Sequence, residues 1–281
     1  MPVRLIALDI DGTLLNSRFQ VSPANSAAID EATRRGIEVA IVTGRRYDFA
    51  LPVIQQIHSP VTMMVNNGAL IRTSDGITHL RHLLPRHTAH LILSATAAWR
   101  ECAAVVFDRP EENQVILERI DWSDPTRGPY YTRNRKYLAE AQPLESCLEE
   151  DPIQVMFTGS VNAMSQVEKA LRAAPFSPDF SLAVTVYPAK DFSMIDVLHP
   201  AVSKGAALAE WSGLRGFAPK EILAIGDNHN DEEMLSFAGV PVVMGNCVSA
   251  LKERGWHITA SNDEDGVAEA IHRFALSGTF E

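Results

Sequence analysis

Apolar runs of four to six residues, each ending in a polar cluster, punctuate the first quarter of the chain. Leu5 to Leu8 runs into Asp9-Ile10-Asp11-Gly12, Ile37 to Val42 into Thr43-Gly44-Arg45-Arg46, and Thr62 to Val65 into the turn Asn66-Asn67-Gly68. Runs that are apolar at nearly every position, rather than at alternate ones, predict strands buried on both faces, as in a parallel sheet. Between them lie helical stretches. Ser22-Pro23 supplies an N-cap and a first-turn proline for a helix ending near Gly36, and a second helix is predicted over Tyr47 to Ile57. Strand and helix alternation of this kind predicts a doubly wound α/β sheet.

From about Leu84 the rhythm changes. A helix over His87 to Trp99 and a strand over Ala103 to Phe107 are followed by a polar, loop-rich stretch through Arg135. A strand near Ile153 to Phe157, a helix over Ala163 to Ala173 and adjacent strands Leu182 to Tyr187 and Phe192 to Leu198 come next. Strands with few helices between them predict a mainly antiparallel sheet, hence a separate domain. Alternation resumes with helix Lys204 to Trp211, strand Ile222 to Gly226, helix Asn230 to Phe237, strand Val240 to Met244 and a terminal helix over Glu264 to Leu276. The expected organisation is therefore an α/β, Rossmann-like parallel-sheet core in two parts, 1–83 and 200–281, with an α/β domain at 84–199 inserted between them.

Composition narrows the function. With 281 residues and 46% hydrophobic content the chain can bury a substantial core, and 25 basic against 35 acidic residues give a formal charge of −10. That balance disfavours a nucleic-acid surface or an anionic membrane as a general partner. Cys102, Cys147 and Cys247 are odd in number, far apart and without C-x-x-C pairing, as expected of reduced thiols in a cytoplasmic protein. No signal-peptide pattern or membrane-length apolar run is present, and the expected partner is a small molecule bound by a monomer or small homo-oligomer.

The candidate chemistry lies at the polar ends of the apolar runs. In an open α/β sheet the carboxyl ends of the strands share one crevice, which would gather Asp9, Asp11, Thr43, Gly44, Lys204 and the run Gly226-Asp227-Asn228-His229-Asn230-Asp231. Like charges 4 Å apart repel by about 4 kcal/mol at an effective dielectric near 20, so such a crevice needs a cation. Carboxylate and carbonyl oxygens suit a hard ion, Mg²⁺ above all where a phosphate also binds. The Thr43 hydroxyl, the Gly44 N–H, the Lys204 ammonium and the Asn230 amide are donors suited to phosphoryl oxygens. Arg45 follows closely and has two readings, contact with substrate or an ion pair with a core carboxylate.

Other clusters invite blander readings. His79, His82, His87 and His90 are interrupted by Pro85 and lack a cysteine partner, which favours surface histidines over zinc. Arg127, Tyr130, Tyr131, Arg133, Arg135 and Lys136 read as a solvated loop, with the alternative that part of it covers an anionic substrate.

In order, DIDGT, VTGR, VSKG and GDNHND resemble the four motifs of the haloacid dehalogenase superfamily, and more narrowly its Cof-type phosphatases with a large α/β cap. Val243-Met244-Gly245-Asn246, Ser261-Asn262 and Asp265-Gly266-Val267 are similar to that branch, whereas His229 and Asp196 depart from its usual pattern. The resemblance implies a phosphoric monoester hydrolase in which Asp9 is the nucleophile, forming an aspartyl-phosphate, and Asp11 the general acid and base. It further implies Mg²⁺ held by Asp9, the Asp11 backbone carbonyl and Asp227, with Asp231 behind them positioning metal waters or Lys204. Thr43, Gly44, Lys204 and Asn230 would cradle the phosphate of a small metabolite such as a sugar phosphate, FMN or pyridoxal phosphate. The inserted domain would act as the cap that selects it. A phosphomutase using the same covalent step, and a phosphate-binding module without turnover, are the alternatives.

Overall fold

The computed structural model describes residues 2–124 and 127–277; the expected domain ends at residues 1 and 281, and residues 125 and 126 of the expected polar stretch, lie outside them. The chain separates into two compact units, Met1–Arg81 with Val202–Glu281, and His82–Ala201. The first unit begins β1 (Leu5–Leu8), α1 (Pro23–Arg34), β2 (Glu38–Val42), α2 (Tyr47–Ile54), β3 (Thr62–Val65), β4 (Leu70–Thr73) and β5 (Thr78–Arg81). The second holds α3 (Arg86–Ala95), β6 (Ala103–Val106), β7 (Val115–Leu117), α4 (Gly128–Arg133), β8 (Leu138–Glu140), β9 (Gln154–Gly159), α5 (Val161–Ala173), β10 (Ser181–Tyr187) and β11 (Phe192–Leu198). The first unit then closes with α6 (Lys204–Arg215), β12 (Ile222–Gly226), α7 (Glu232–Phe237), β13 (Val240–Val243), α8 (Ser249–Lys252), β14 (His257–Ile258) and α9 (Gly266–Ile271).

In the first unit the sheet order is β14-β13-β12-β1-β2-β3-β4-β5. The pairings from β14 to β3 are parallel, and β3, β4 and β5 pair antiparallel. The central parallel strands β12, β1, β2 and β3 are buried on both faces because helices cover both. Leu5 and Ala7 join a cluster with Leu208 and Trp211 of α6 and Met234 and Leu235 of α7, while Ile6 and Leu8 are fully buried on the other face. Caps set the helix starts. Ser22 Oγ accepts the Asn25 N–H ahead of α1 and Ser203 Oγ accepts the Ala206 N–H ahead of α6, and α6 ends at Gly216, whose φ of 70° is left-handed. The register aligns Leu8 with both Ile41 and Ile225, so the residues after β1, β2 and β12 emerge along one edge.

To the expected parallel sheet the structure adds that antiparallel hairpin, Leu70 to Arg81. Only its first residues are buried, and β5 is largely exposed, so no sustained apolar run announces it.

The second unit has a six-stranded sheet in the order β10-β11-β9-β6-β7-β8, antiparallel except for β7 with β8. One face packs on α3 and α5 through Val105, Phe107, Val155, Phe157, Ile195 and Val197. The stretch expected to be a loop through Arg135 contains β7 and α4, a three-residue strand and a six-residue helix too short for periodicity to reveal. The basic and aromatic residues there are engaged within the unit: Arg127 pairs with Asp124, Tyr131 is buried, and Arg135 lies over the Trp122 ring. Among the described residues no group of histidines is placed to hold a metal ion; His79 meets Trp211, and His82 stacks on His199. Among the described residues no helix is long and apolar enough to cross a membrane.

Candidate active site

At the carboxyl edge of the parallel sheet Asp9, Asp227 and Asp231 are buried, each with a carboxylate oxygen within 4.8 Å of the others. Lys204, at the first position of α6 and 1% exposed, donates to Asp9 Oδ1 and to Asp231 Oδ1, both at 2.6 Å. Three carboxylates against one ammonium leave a formal excess of two negative charges. Among the described residues no other basic side chain forms an ion pair with these carboxylates.

Burial, reinforced by neighbouring aspartates and only partly opposed by Lys204, pushes the Asp9 carboxyl up to about 7 and Asp227 up to about 9. The Lys204 ammonium moves up as well: burial alone would lower it, but Asp231 and Asp9 more than offset that cost.

Local backbone chemistry explains the crowding. Gly12, at φ 88°, lies so close to Asp227 that a Cβ there would fall 2.3 Å from Oδ2, and a Cβ on Gly226 would fall 2.7 Å from the Asp231 side chain. Asp231 Oδ2 accepts the N–H groups of Asp227 and Asn228, so both of its oxygens are committed, one to its own loop and one to Lys204. Among the described residues, Asp9 keeps Oδ2 beyond its lysine contact, and Asp227 accepts the Thr13 hydroxyl on Oδ1 at 3.2 Å. Those two carboxylates have lone pairs to offer a cation.

Facing donors converge on the same edge. Thr43 is 1% exposed, and its Oγ1 accepts the Arg45 N–H at 3.1 Å, which leaves the hydroxyl proton to be given elsewhere. Lys204 has a third ammonium proton beyond its two carboxylate bonds. Asn230 donates one amide proton to Asn67 Oδ1 at 3.1 Å and retains the other.

Asp11 and Arg45 sit differently. Arg45 Nε and Nη2 donate to the two Asp11 oxygens at 2.7 and 2.6 Å, a bidentate pair of side chains 25% and 33% exposed. Of the two readings left open for Arg45, the geometry has the ion pair, and Asp11 stands outside the buried carboxylate group. Sequence reasoning also passed over Thr13, which bonds Asp227, and Asn67. Asn67 carried a usable signal, because it too follows a fully buried parallel strand.

A family model described as haloacid dehalogenase-like hydrolase matches residues 6–271. Two curated relatives come from Bacillus subtilis: the 5-amino-6-(5-phospho-D-ribitylamino)uracil phosphatase YcsE, 29% identical over 98% of this chain and 96% of its own length, and the phosphatase YwpJ, 28% identical over 96% and 99%. Among solved structures, a haloacid dehalogenase-like hydrolase from B. subtilis superposes with a TM-score of 0.79 at 25% identity, over 96% of this chain and 99% of that one.

Proposed function

The chain belongs to the haloacid dehalogenase-like hydrolase family, and from that premise we propose that it is a Mg²⁺-dependent phosphatase of small phosphorylated metabolites working through an aspartyl-phosphate on Asp9. The observation that carries this reading is the buried group Asp9, Asp227, Asp231 and Lys204, whose charge deficit fits a divalent cation and whose open edge is lined with phosphate-type donors. The donor set is all oxygen, as Mg²⁺ requires. Asp9, Asp227 and the Asp11 backbone carbonyl would hold the ion, which when bound neutralises phosphoryl charge and orients the transferring group.

Lys204 holds the Asp9 carboxylate in place through Oδ1 and offers its remaining proton to a phosphate oxygen, while Asp231 fixes Lys204. Thr43, the Gly44 N–H and Asn230 take the other oxygens. The Asp9 carboxylate attacks phosphorus in line with the leaving oxygen; the P–O bond to the alcohol breaks, and Asp11 supplies that oxygen with a proton. Asp11 then removes a proton from the water that attacks phosphorus and frees Asp9. For either transfer one arm of the Arg45 fork must release Asp11, so Arg45 is assigned to controlling Asp11. The unit His82–Ala201 would select the leaving group, which accords with the distinct substrate named for YcsE.

The test is a panel of phosphate monoesters, covering sugar phosphates, FMN, pyridoxal phosphate and the ribitylaminouracil phosphate, scored by kcat/KM with Mg²⁺ and with EDTA. Release of inorganic phosphate that requires Mg²⁺ is expected. Full turnover in EDTA, isomerised sugar without free phosphate, or no turnover with any ester would overturn the reading.

A further inference from the structure

The turn Asn66–Gly68 touches every arm of the donor set, although none of its residues belongs to the motifs. Asn66 and Asn67, at φ 51° and 54°, and Gly68, at 96°, form three consecutive left-handed residues directly after β3. Asparagine tolerates that region better than most side chains, and glycine adopts it freely.

The curl aims the backbone inward. Asn66 N–H donates to the Arg45 carbonyl and Asn67 N–H to the Thr43 carbonyl, both at 2.9 Å, so the turn is stitched to the loop carrying Thr43 and Gly44. A Cβ on Gly44 would lie 3.2 Å from Asn67 Oδ1 and 3.3 Å from Nδ2, which places the Asn67 amide flat against that glycine. On its other side Gly68 packs beneath the start of α6, where a Cβ would fall 2.8 Å from the Ser203 carbonyl, one residue before Lys204. The Asn67 side chain, 1% exposed, accepts the Asn230 amide across 163 residues of sequence.

We infer that Asn67 is a positioning residue of the phosphate site: its Oδ1 fixes the Asn230 amide so that the second Asn230 N–H points at the bound oxyanion. This rests on the proposed phosphate-binding role of Asn230. An unrestrained primary amide can rotate and present its carbonyl oxygen to the anion instead, whereas one held by an acceptor must present a donor. Asn67 thereby couples the donors contributed by β2 and β12.

The experiment measures the cost of Asn230→Ala in three backgrounds by calorimetric titration of the full chain with inorganic phosphate in Mg²⁺ buffer. In the native background the loss should be about tenfold in affinity, the size of one hydrogen bond to a charged group. With Asn67→Gly, which keeps the left-handed backbone at no steric cost and removes only the amide, Asn230→Ala should cost less than about twofold, because Asn230 is already unaimed. With Asn67→Asp, which restores the acceptor, the tenfold cost should return, a rescue that a merely structural role would not give. An equal cost of Asn230→Ala in the Gly and native backgrounds, no cost in the native one, or no rescue by Asp would overturn the inference. The kinetic counterpart is a fall in kcat/KM for Asn67→Gly carried mainly by KM. Native protein that binds phosphate with this pattern yet hydrolyses no ester would sink the phosphatase reading and leave this one standing. Native turnover with independent costs would do the reverse.

Discussion

Asp9 and Asp11 are two residues apart on one strand end, yet they occupy opposite kinds of environment. Asp9 is buried beside two further carboxylates and a lysine, in a group with too little positive charge. Asp11 is about a third exposed and fully matched by one bidentate guanidinium. A group left short of positive charge by its own protein is prepared for a cation and an incoming anion. A balanced, solvent-reached pair is prepared to exchange partners, because little is lost when it opens. Under the proposed mechanism the same residue type would serve as a fixed nucleophile in one place and as a movable proton carrier in the other.

The largest test of that contrast is Asp9→Asn. It should abolish covalent phosphorylation and lower turnover by on the order of 10⁴-fold or more with every ester, measured by rapid quench with labelled substrate. Phosphoenzyme formed at the native rate would place the nucleophile elsewhere.

Asp11→Asn should separate the substrates. With p-nitrophenyl phosphate, whose leaving group needs no proton, it should give a burst of about one nitrophenolate per site and then stall, while alkyl phosphates slow by about 10²- to 10⁴-fold. Equal slowing of both, without a burst, would merge the two roles.

Metal dependence sharpens the buried side. The Asp9 and Asp227 carboxyls, raised from 3.8 to about 7 and about 9, bind protons more tightly folded than unfolded. In cation-free protein their contribution to stability is complete below the unfolded value and is lost as the pH climbs through 7 to 9. In the proposed reading a divalent cation would take the place of those protons, so the Mg²⁺-induced rise in Tm should be larger at about pH 8.5 than at about pH 6. Asp227→Ala should flatten that difference and raise the Mg²⁺ concentration for half-activity by about tenfold or more. A Tm that ignores Mg²⁺ at both pH values would remove the cation from the buried group.

The smallest effect is expected at Arg45. Arg45→Gln removes a partly exposed pair worth about 0–1 kcal/mol, so Tm should change by only a few degrees. Its kinetic effect on the first turnover, measured at saturating substrate, should fall on alkyl phosphates and spare the p-nitrophenolate burst, because only the former need Asp11 as a proton donor, while the water step is shared by both. Equal losses with both would give Arg45 a direct part in holding the phosphate.

Most of the core was legible in the sequence because the signals are local. A strand buried on both faces must be apolar throughout, and its chemistry must wait for the first residues beyond it, so Asp9, Thr43 and Asp227 can be picked out by position alone. The hairpin β4–β5 and the short elements β7 and α4 escaped because edge strands and single turns carry too few buried positions to set a period. At the candidate site, which residues stand at the strand ends was readable, and their partnerships were not. That Lys204 serves Asp9 and Asp231 together, that Arg45 clasps Asp11, and that Asn230 leans on Asn67 are relations across 195, 34 and 163 positions of chain. Composition and periodicity specify which groups each element offers at its end. Which of them touch is decided only when the parallel register brings those ends to a common edge, where burial, charge balance and the number of free protons on each donor select the pairs.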